Sequence, residues 1–298
     1  MKTNLLTTIY KIQNRLRTPV LKLIEEKRRS NYPFLSCDTY ALMSDVYFSN
    51  RIELSNLARI SDANTIYAEV SKVDELLEKL KVLRKKPRLE AVYLGDSDVP
   101  ASDTNLNALL EFTEKVYCVN LPKNLGPRIF ALPLGLENKS YGGGGLTSHY
   151  RRKVVYEVSL RPLSVLIAWN DETNNRERTH ARIQLRESPL VYEVNKRVPF
   201  QALGKLIRKS LLIPCPIGNG IDTHRFWEAI YLGALPVVRE RDELFFEFRV
   251  PRFVISNWSD LSNLSRLDIE EIYGKHKAEL TNFKLNTTRY LDQSFNRK

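Results

Sequence analysis

The residues best suited to binding a ligand lie in one unbroken stretch, residues 218–228. Gly218 and Gly220 form a short loop, and glycine tolerates a positive φ angle and lets a ligand approach the backbone closely. Asp222 or Thr223 can cap a helix that begins just after the loop, and free N–H groups in the first turn of a helix favour an anion. The spacing predicts a phosphate-binding loop followed by a helix.

The predicted helix carries polar and apolar side chains on different faces. His224 and Glu228 are four residues apart and therefore share a face, with Arg225 beside them. Phe226 and Trp227 supply the apolar side, which we expect to pack in the core. A carboxylate beside two aromatic residues is costly unless it meets a ligand, so Glu228 is a candidate binding residue. The role of His224 stays open, because a histidine in a first turn can also face solvent or bond a carbonyl.

The pattern Gly-Asn-Gly-x-Asp-x-x-Arg-x-Trp-Glu-Ala at residues 218–229, followed by Gly233 and Pro-Val-Val at 236–238, is similar to the donor-site motif of exostosin-like glycosyltransferases. The resemblance implies an α/β protein of the GT-B type, with two Rossmann-like domains facing a central cleft. It also implies that Glu228 holds the ribose hydroxyls of a nucleotide sugar and that Arg225 holds its diphosphate.

A second group of basic residues follows a predicted strand at residues 163–169. This strand is almost continuously apolar, as expected in a parallel sheet covered by helices on both faces. Arg176 and Arg178 come soon after it, and guanidinium groups suit phosphate oxygens. An exposed, charged helix start is the alternative explanation. The predicted donor-binding residues are Arg176, Arg178, Gly218, Asn219, Gly220, Asp222, His224, Arg225 and Glu228.

Carboxylates at predicted strand ends in the first half are candidates for the catalytic base. An inverting transfer needs a carboxylate that takes a proton from the acceptor hydroxyl. Asp38 lies at a predicted strand-to-helix switch, where α/β sheets bind ligands, although capping of the helix would also explain it. Asp98 follows a buried-type strand. Asp38 and Asp98 are the predicted catalytic residues, with Asp96 and Glu137 as the other candidates.

No metal or other cofactor is expected, since the nucleotide sugar is a substrate. Residues 96–98 match the Asp-x-Asp pattern of manganese-dependent GT-A enzymes, but they lie far from the donor motif. The three cysteines are widely spaced and indicate neither a disulfide framework nor a zinc site. The glycine run at residues 142–145 lacks the lysine of a Walker loop, which disfavours an NTPase, and we predict a mobile loop near the hinge.

The length of 298 residues and the hydrophobic content of 43% favour two domains, each with its own core. Strands alternate with helices as in βαβ units. We predict a basic amphipathic helix at residues 1–30, an acceptor-side domain at 31–155 and a nucleotide-sugar-binding domain at 156–298.

The net charge of +11 calls for an anionic partner. Residues 1–30 hold eight lysines and arginines, interleaved with apolar residues at helical spacing. This segment is suited either to resting on an anionic membrane or to packing on the domains. No known nucleic-acid-binding motif is present, so nucleic acid is not an expected partner. Without a long apolar run or a signal-peptide pattern, we expect a cytoplasmic location, with peripheral contact at the inner face of a membrane as an option.

The resemblance to exostosin-like glycosyltransferases implies an enzyme that moves a sugar from a nucleotide-sugar donor to a glycan or lipid-linked saccharide acceptor. The reaction is expected to be inverting and metal-independent and to serve cell-surface polysaccharide or glycan synthesis. The alternative is a non-catalytic protein that binds a nucleotide sugar or nucleic acid. The identity of the sugar, the acceptor and the linkage depends on pocket shape, which motifs do not reveal.

Overall fold

The computed structural model describes residues 31–48, 60–83, 87–243 and 249–285. Within these ranges the protein is α/β, with two parallel sheets of five strands each. The predicted α/β class is therefore confirmed. The amphipathic helix predicted for residues 1–30 lies outside the described residues.

The first sheet has its strands in chain order, β1-β2-β3-β4-β5, and every pair is parallel. Its strands are β1 (Val46–Phe48), β2 (Thr65–Glu69), β3 (Leu89–Gly95), β4 (Thr113–Val119) and β5 (Ile129–Leu132). Helices α1 (Cys37–Met43), α2 (Val73–Val82) and α3 (Asp103–Leu109) belong to this half. Buried leucines of α2 and α3 pack against one face of the sheet. Strands buried on both faces explain the near-continuous apolar runs in the sequence.

The second sheet has the order β10-β9-β8-β6-β7, again with parallel pairs. Its strands are β6 (Leu163–Ile167), β7 (Val191–Glu193), β8 (Ser210–Pro214), β9 (Leu235–Arg239) and β10 (Phe253–Ile255). Its helices are α4 (Asn175–Leu185), α5 (Phe200–Arg208), α6 (His224–Tyr231), α7 (Ser259–Ser262) and α8 (Arg266–Leu285). Strand β7 lies on one side of β6 and strand β8 on the other, so the strand order reverses direction after β7. A topological switch point therefore lies between β6 and β8, where α/β sheets open a crevice for ligands.

The two halves share part of their core. One buried cluster runs from the first sheet through residues 34–40 to the second sheet and α6. The Phe34 ring lies 5.5 Å from that of Tyr150 and 5.0 Å from that of Tyr231. The backbone N–H of Leu35 donates to the Tyr231 hydroxyl at 2.9 Å. The first sheet lies inside the predicted range 31–155 and the second inside 156–298, while the boundary itself stays a prediction.

The glycine run at residues 142–145 differs from the mobile loop that we predicted. It forms short 3-10 turns in which Gly144 and Gly145 are buried. The Tyr150 hydroxyl donates to the Gly144 carbonyl at 2.7 Å. The run is packed, because positive φ angles at Gly142 and Gly143 turn the chain tightly beneath the cleft.

In the part of the chain that the structure describes, no helix has the length and apolar character required to cross a bilayer.

Candidate functional site

A cleft of about 430 Å³ lies where the carboxyl ends of both sheets face each other. It adjoins a larger cavity of about 1030 Å³ on the side of the second sheet. The residues that line both are Ala168, Trp169, Asn170, His224 and Arg225. These residues come from the end of β6 and the start of α6. The two cavities therefore meet at the switch point of the second sheet.

The glycine loop forms one wall of the smaller cleft, but for a different reason from the one predicted. Neither Gly218 nor Gly220 has a positive φ angle. A Cβ atom on Gly218 would lie 2.7 Å from Nη2 of Arg178, and one on Gly220 would lie 2.7 Å from the backbone oxygen of Asp98. Glycine is required here for close packing across the cleft and against Arg178.

Arg178 is brought into the cleft as predicted. Its Nη1 donates to the Asn170 carbonyl at 2.7 Å and its Nε donates to the Ile217 carbonyl at 3.2 Å. The neighbouring Asp171 is paired with Arg182 at 2.9 Å, so Arg178 has no salt bridge among the described residues. Burial, with repulsion from Arg225 as a further cause, lowers the pKa of Arg178. The two guanidinium groups therefore lie near each other at the cleft.

Arg176 does not join this site. Its side chain is exposed and is not among the residues that line the cleft. Positions 176 and 178 are two apart on α4 and therefore point to different sides of the helix. In the sequence both arginines follow the strand closely, but only Arg178 lies on the side of α4 that faces the cleft.

Asp222 lines the cleft but uses its carboxylate to hold the protein together. It accepts hydrogen bonds from the backbone N–H of Leu134 at 2.8 Å and from the indole N–H of Trp227 at 2.9 Å. Its own N–H donates to Asn120 Oδ1 at 2.8 Å. Burial raises its pKa to about 7.

The predicted helix cap is not formed: Thr223 is the N-cap residue of α6 and makes no side-chain capping bond. The first turn of α6 thus lacks a side-chain cap at the cleft.

His224 faces both cavities from the first turn of α6. Its Nδ1 lies 2.8 Å from the carbonyl oxygen of Gly135. Because a carbonyl only accepts, Nδ1 carries the hydrogen and Nε2 of the neutral ring is an acceptor. Burial lowers the pKa of His224, which favours this neutral form.

Arg225 lies at the junction of the two cavities and contacts Glu228. Its Nε donates to the Ala168 carbonyl at 2.9 Å, and its Nη1 forms a salt bridge with Glu228 Oε2. Burial raises the pKa of Glu228 to about 7, against the lowering effect of Arg225. The larger cavity is lined by Glu228 and also by Glu137. Burial likewise raises the pKa of Glu137.

Gly144 brings the two glutamates together. A Cβ atom at this position would lie 2.5 Å from Oε1 of Glu228 and 3.3 Å from Oε2 of Glu137. The carboxyl groups therefore converge on the glycine turn, although they are distant in sequence. Sequence analysis found each glutamate separately, while their meeting depends on the fold.

The acidic residues of the first half are distributed unevenly around the cleft. Asp98 is exposed in the smaller cleft and accepts from Asn219 Nδ2 at 3.1 Å. Asp38 is not among its lining residues, and Asp38 Oδ2 accepts from the backbone N–H of Lys139 at 2.7 Å. The structure thus brings Asp98, and not Asp38, to the cleft. The alternative that Asp38 caps its own helix is also wrong, because Ser36 is the N-cap residue of α1 and its side chain accepts from the Thr39 N–H.

Asp96, one of the other candidates for the base, is held by two side chains. It lines the cleft with a φ angle of 53°, a strained conformation of the kind that occurs at functional sites. The Tyr67 hydroxyl donates to its Oδ2 at 3.0 Å, and Asn138 Nδ2 donates to its Oδ1. Asp96 and Asp98 therefore bind different partners. Among the described residues, no group of three or more His, Cys, Asp or Glu side chains is placed to hold a metal ion.

Asn120 does not line the cleft but holds two residues that do, and sequence analysis missed it. It follows β4 with a φ angle of 56°. Its Nδ2 donates to the Ser97 carbonyl at 2.9 Å, and its Oδ1 accepts from the N–H of Asp222 at 2.8 Å. The available signal was a single asparagine after a buried strand, which is also typical of an ordinary turn.

No family model matches the chain, and no curated protein sequence matches it. The geometry of the cleft and the motif at residues 218–238 therefore carry the functional argument.

Proposed function

We propose that this protein is a glycosyltransferase of the GT-B type, similar to the exostosin-like enzymes, that transfers a sugar from a nucleotide-sugar donor to a saccharide acceptor. One observation carries the proposal. Arg178 and Arg225 face a cleft at the switch point of the second sheet, beside a glycine loop and a helix start without a side-chain cap. These are the groups that bind a diphosphate.

The two adjoining cavities suit the two parts of a nucleotide sugar. The larger one, lined by Glu228 and Trp169, would take the nucleoside, with the Glu228 carboxylate on the ribose hydroxyls. The diphosphate would lie at the junction, against Arg225 and Arg178. The sugar would then enter the smaller cleft, which faces Asp96 and Asp98.

In the proposed reaction, an acceptor hydroxyl attacks the anomeric carbon and the bond from that carbon to the diphosphate oxygen breaks. The hydroxyl proton passes to a carboxylate of the first half, for which Asp98 and Asp96 are the side chains in the cleft. Charge that develops on the departing diphosphate is stabilised by Arg178, Arg225 and the first-turn N–H groups of α6.

The first test is thermal stabilisation by a panel of UDP, GDP, CMP and dTDP sugars, each with and without manganese. A ligand at one hundred times its dissociation constant adds about 2.7 kcal/mol to the free energy of unfolding. We expect one nucleotide class to raise the melting temperature selectively, without manganese. No shift with any nucleotide would contradict the proposal. Binding without sugar release or transfer would instead support the non-catalytic alternative.

Two arginine variants test whether nucleotide binding depends on the cleft or only on the net charge of the protein. Arg178→Gln and Arg176→Gln each remove one positive charge, but only Arg178 lines the cleft. We expect Arg178→Gln to weaken binding of the identified nucleotide by roughly tenfold or more, because a charged hydrogen-bond donor to phosphate is lost. Arg176→Gln should bind as the wild type does. Calorimetric titration measures both, and equal losses would show that the cleft assignment is wrong.

A further inference from the structure

A basic surface formed by residues 151–153 and α5 includes none of the residues proposed to hold the donor. We name it the 151/205 surface, and its members are Arg151, Arg152, Lys153, Lys205, Arg208 and Lys209. Five of these side chains are exposed, and Arg208 is partly buried. None of the six forms a salt bridge with a described residue.

Arg208 brings the two parts of this surface together. Its Nη2 donates to the carbonyl of His149 at 2.7 Å, which ties α5 to the segment carrying residues 151–153. Burial lowers the pKa of Arg208, and the charge of Arg152 lowers it further. Lys205 lies three residues before Arg208 and therefore neighbours it on the helix, and Lys209 is the C-cap residue that follows. Like charges are therefore gathered here without local neutralisation.

The neighbouring side chains distinguish between kinds of anionic partner. Val155 and Leu160, which follow residues 151–153 in the same segment, are 45% and 61% exposed, so aliphatic side chains are exposed in the chain directly after the cations. Its aromatic residues turn inward, since Tyr150 is fully buried and the Tyr156 hydroxyl is buried. Single-stranded nucleic acid is held by exposed aromatic rings as well as charge. Cations flanked by exposed aliphatic groups fit the headgroup region of an anionic bilayer.

The acidic residue of this segment is already occupied. Glu157 lies between the two exposed aliphatic residues and pairs with Lys277 at 3.0 Å. It therefore does not neutralise the six cations.

We propose that the 151/205 surface docks the protein on a membrane that exposes anionic phospholipid headgroups. The proposal is independent of the proposed enzymatic function, because none of its six cations lines the cleft or the larger cavity. It is also distinct from the membrane contact predicted for residues 1–30.

The test compares two full-length triple variants with the wild type in vesicle co-sedimentation. The first is Arg151→Gln/Arg152→Gln/Lys153→Gln, which removes three charges from the surface and spares Arg208 and its hydrogen bond. The control is Lys81→Gln/Lys123→Gln/Arg249→Gln, which removes three exposed charges elsewhere. Both retain residues 1–30, so that segment contributes equally to each.

Binding to phosphatidylcholine vesicles that contain phosphatidylglycerol should fall by about tenfold or more in the first variant. The control should stay within about twofold of the wild type, since its charges lie off the docking face. Vesicles of phosphatidylcholine alone should bind none of the three proteins. Matching melting temperatures would show that the first variant is folded.

Three results would overturn the proposal. Equal loss in both variants would mean that only net charge matters. Undiminished binding by the first variant would assign membrane contact to another part of the chain, such as residues 1–30. Tighter binding to short duplex DNA than to anionic vesicles at the same salt, with the same variant impaired, would assign the surface to nucleic acid.

Discussion

Asp222 shows how a residue of a ligand-binding motif can serve the fold. Asp222 is buried, with 5% of its surface exposed. Its carboxylate accepts hydrogen bonds from the backbone N–H of Leu134 in the first half and from the indole N–H of Trp227 in α6. Removal of this acceptor would leave two buried donors without partners, which is costly. The motif aspartate therefore joins the halves beneath the cleft.

The raised pKa of Asp222 predicts a pH-dependent contribution to stability. In the folded protein its pKa rises from 3.8 to about 7. Between these values the folded state holds a proton that the unfolded state has released, so the free energy of unfolding falls as pH rises. Asp222→Asn cannot lose this proton. We expect the variant to be less stable than the wild type at about pH 4 and the gap to narrow toward about pH 7.

Urea denaturation of both proteins across this pH range measures the gap directly. Glu228, whose pKa is also raised to about 7, titrates in both proteins and cancels in the comparison. A gap that stays constant with pH would show that Asp222 is ionised throughout.

The turn at Gly144 is the element that sets the position of the two glutamates. Glu228 is buried and paired with Arg225, so it has little room to yield to a new methyl group. The turn therefore acts as a wall of the larger cavity, and a side chain at Gly144 would displace the proposed ribose-binding carboxylate.

Gly144→Ala should lower the free energy of unfolding by about 1–3 kcal/mol, as expected of overpacking. It should also weaken nucleotide binding. The matched control is Gly274→Ala in α8, where an added Cβ meets nothing within 4 Å. Alanine should stabilise that helix by about 0.5–1 kcal/mol. Urea denaturation gives both values, and similar effects of the two substitutions would show that the contact with Glu228 is unimportant.

On the scale of the whole molecule, residues 34–40 connect the cores of the two halves. Phe34 lies against Tyr150 and Tyr231, while its neighbours pack on the first sheet. Because the buried cluster is continuous, we expect the two halves to unfold together.

Phe34→Ala tests this coupling. We expect a loss of about 3–5 kcal/mol, because a buried aromatic side chain is removed from the shared core. All three tryptophans, Trp169, Trp227 and Trp258, lie in the second half, so their fluorescence reports on that half. Hydrogen exchange in β3 reports on the first. Both probes should report the same loss in the free energy of unfolding. Destabilisation of one half alone would show that the two cores are energetically separate.

Much of the local structure followed from the sequence. Strand β3 and helix α6 were predicted from apolar runs and from the loop at residues 218–220, because these patterns depend on neighbours in the chain. Gly233 of the motif follows α6 with a φ angle of 81°, the left-handed conformation in which glycine commonly ends a helix. Arg178 and Arg225 were singled out because they follow a strand or begin a helix, and Glu228 because a carboxylate beside two aromatic residues is costly without a ligand.

The composition of the site was decided by tertiary structure. Arg178 lines the cleft and Arg176 does not, because the rotation of α4 is fixed by packing. Asp98 reaches the cleft and Asp38 does not, because Asp98 follows β3 whereas Asp38 lies in the first turn of α1. The convergence of Glu137 and Glu228 on Gly144 joins segments about 90 residues apart. The sequence by itself determined which elements form and where each carries polar groups, since those are short-range properties. Which polar groups face one another depends on long-range packing of two sheets, and only the folded structure determined it.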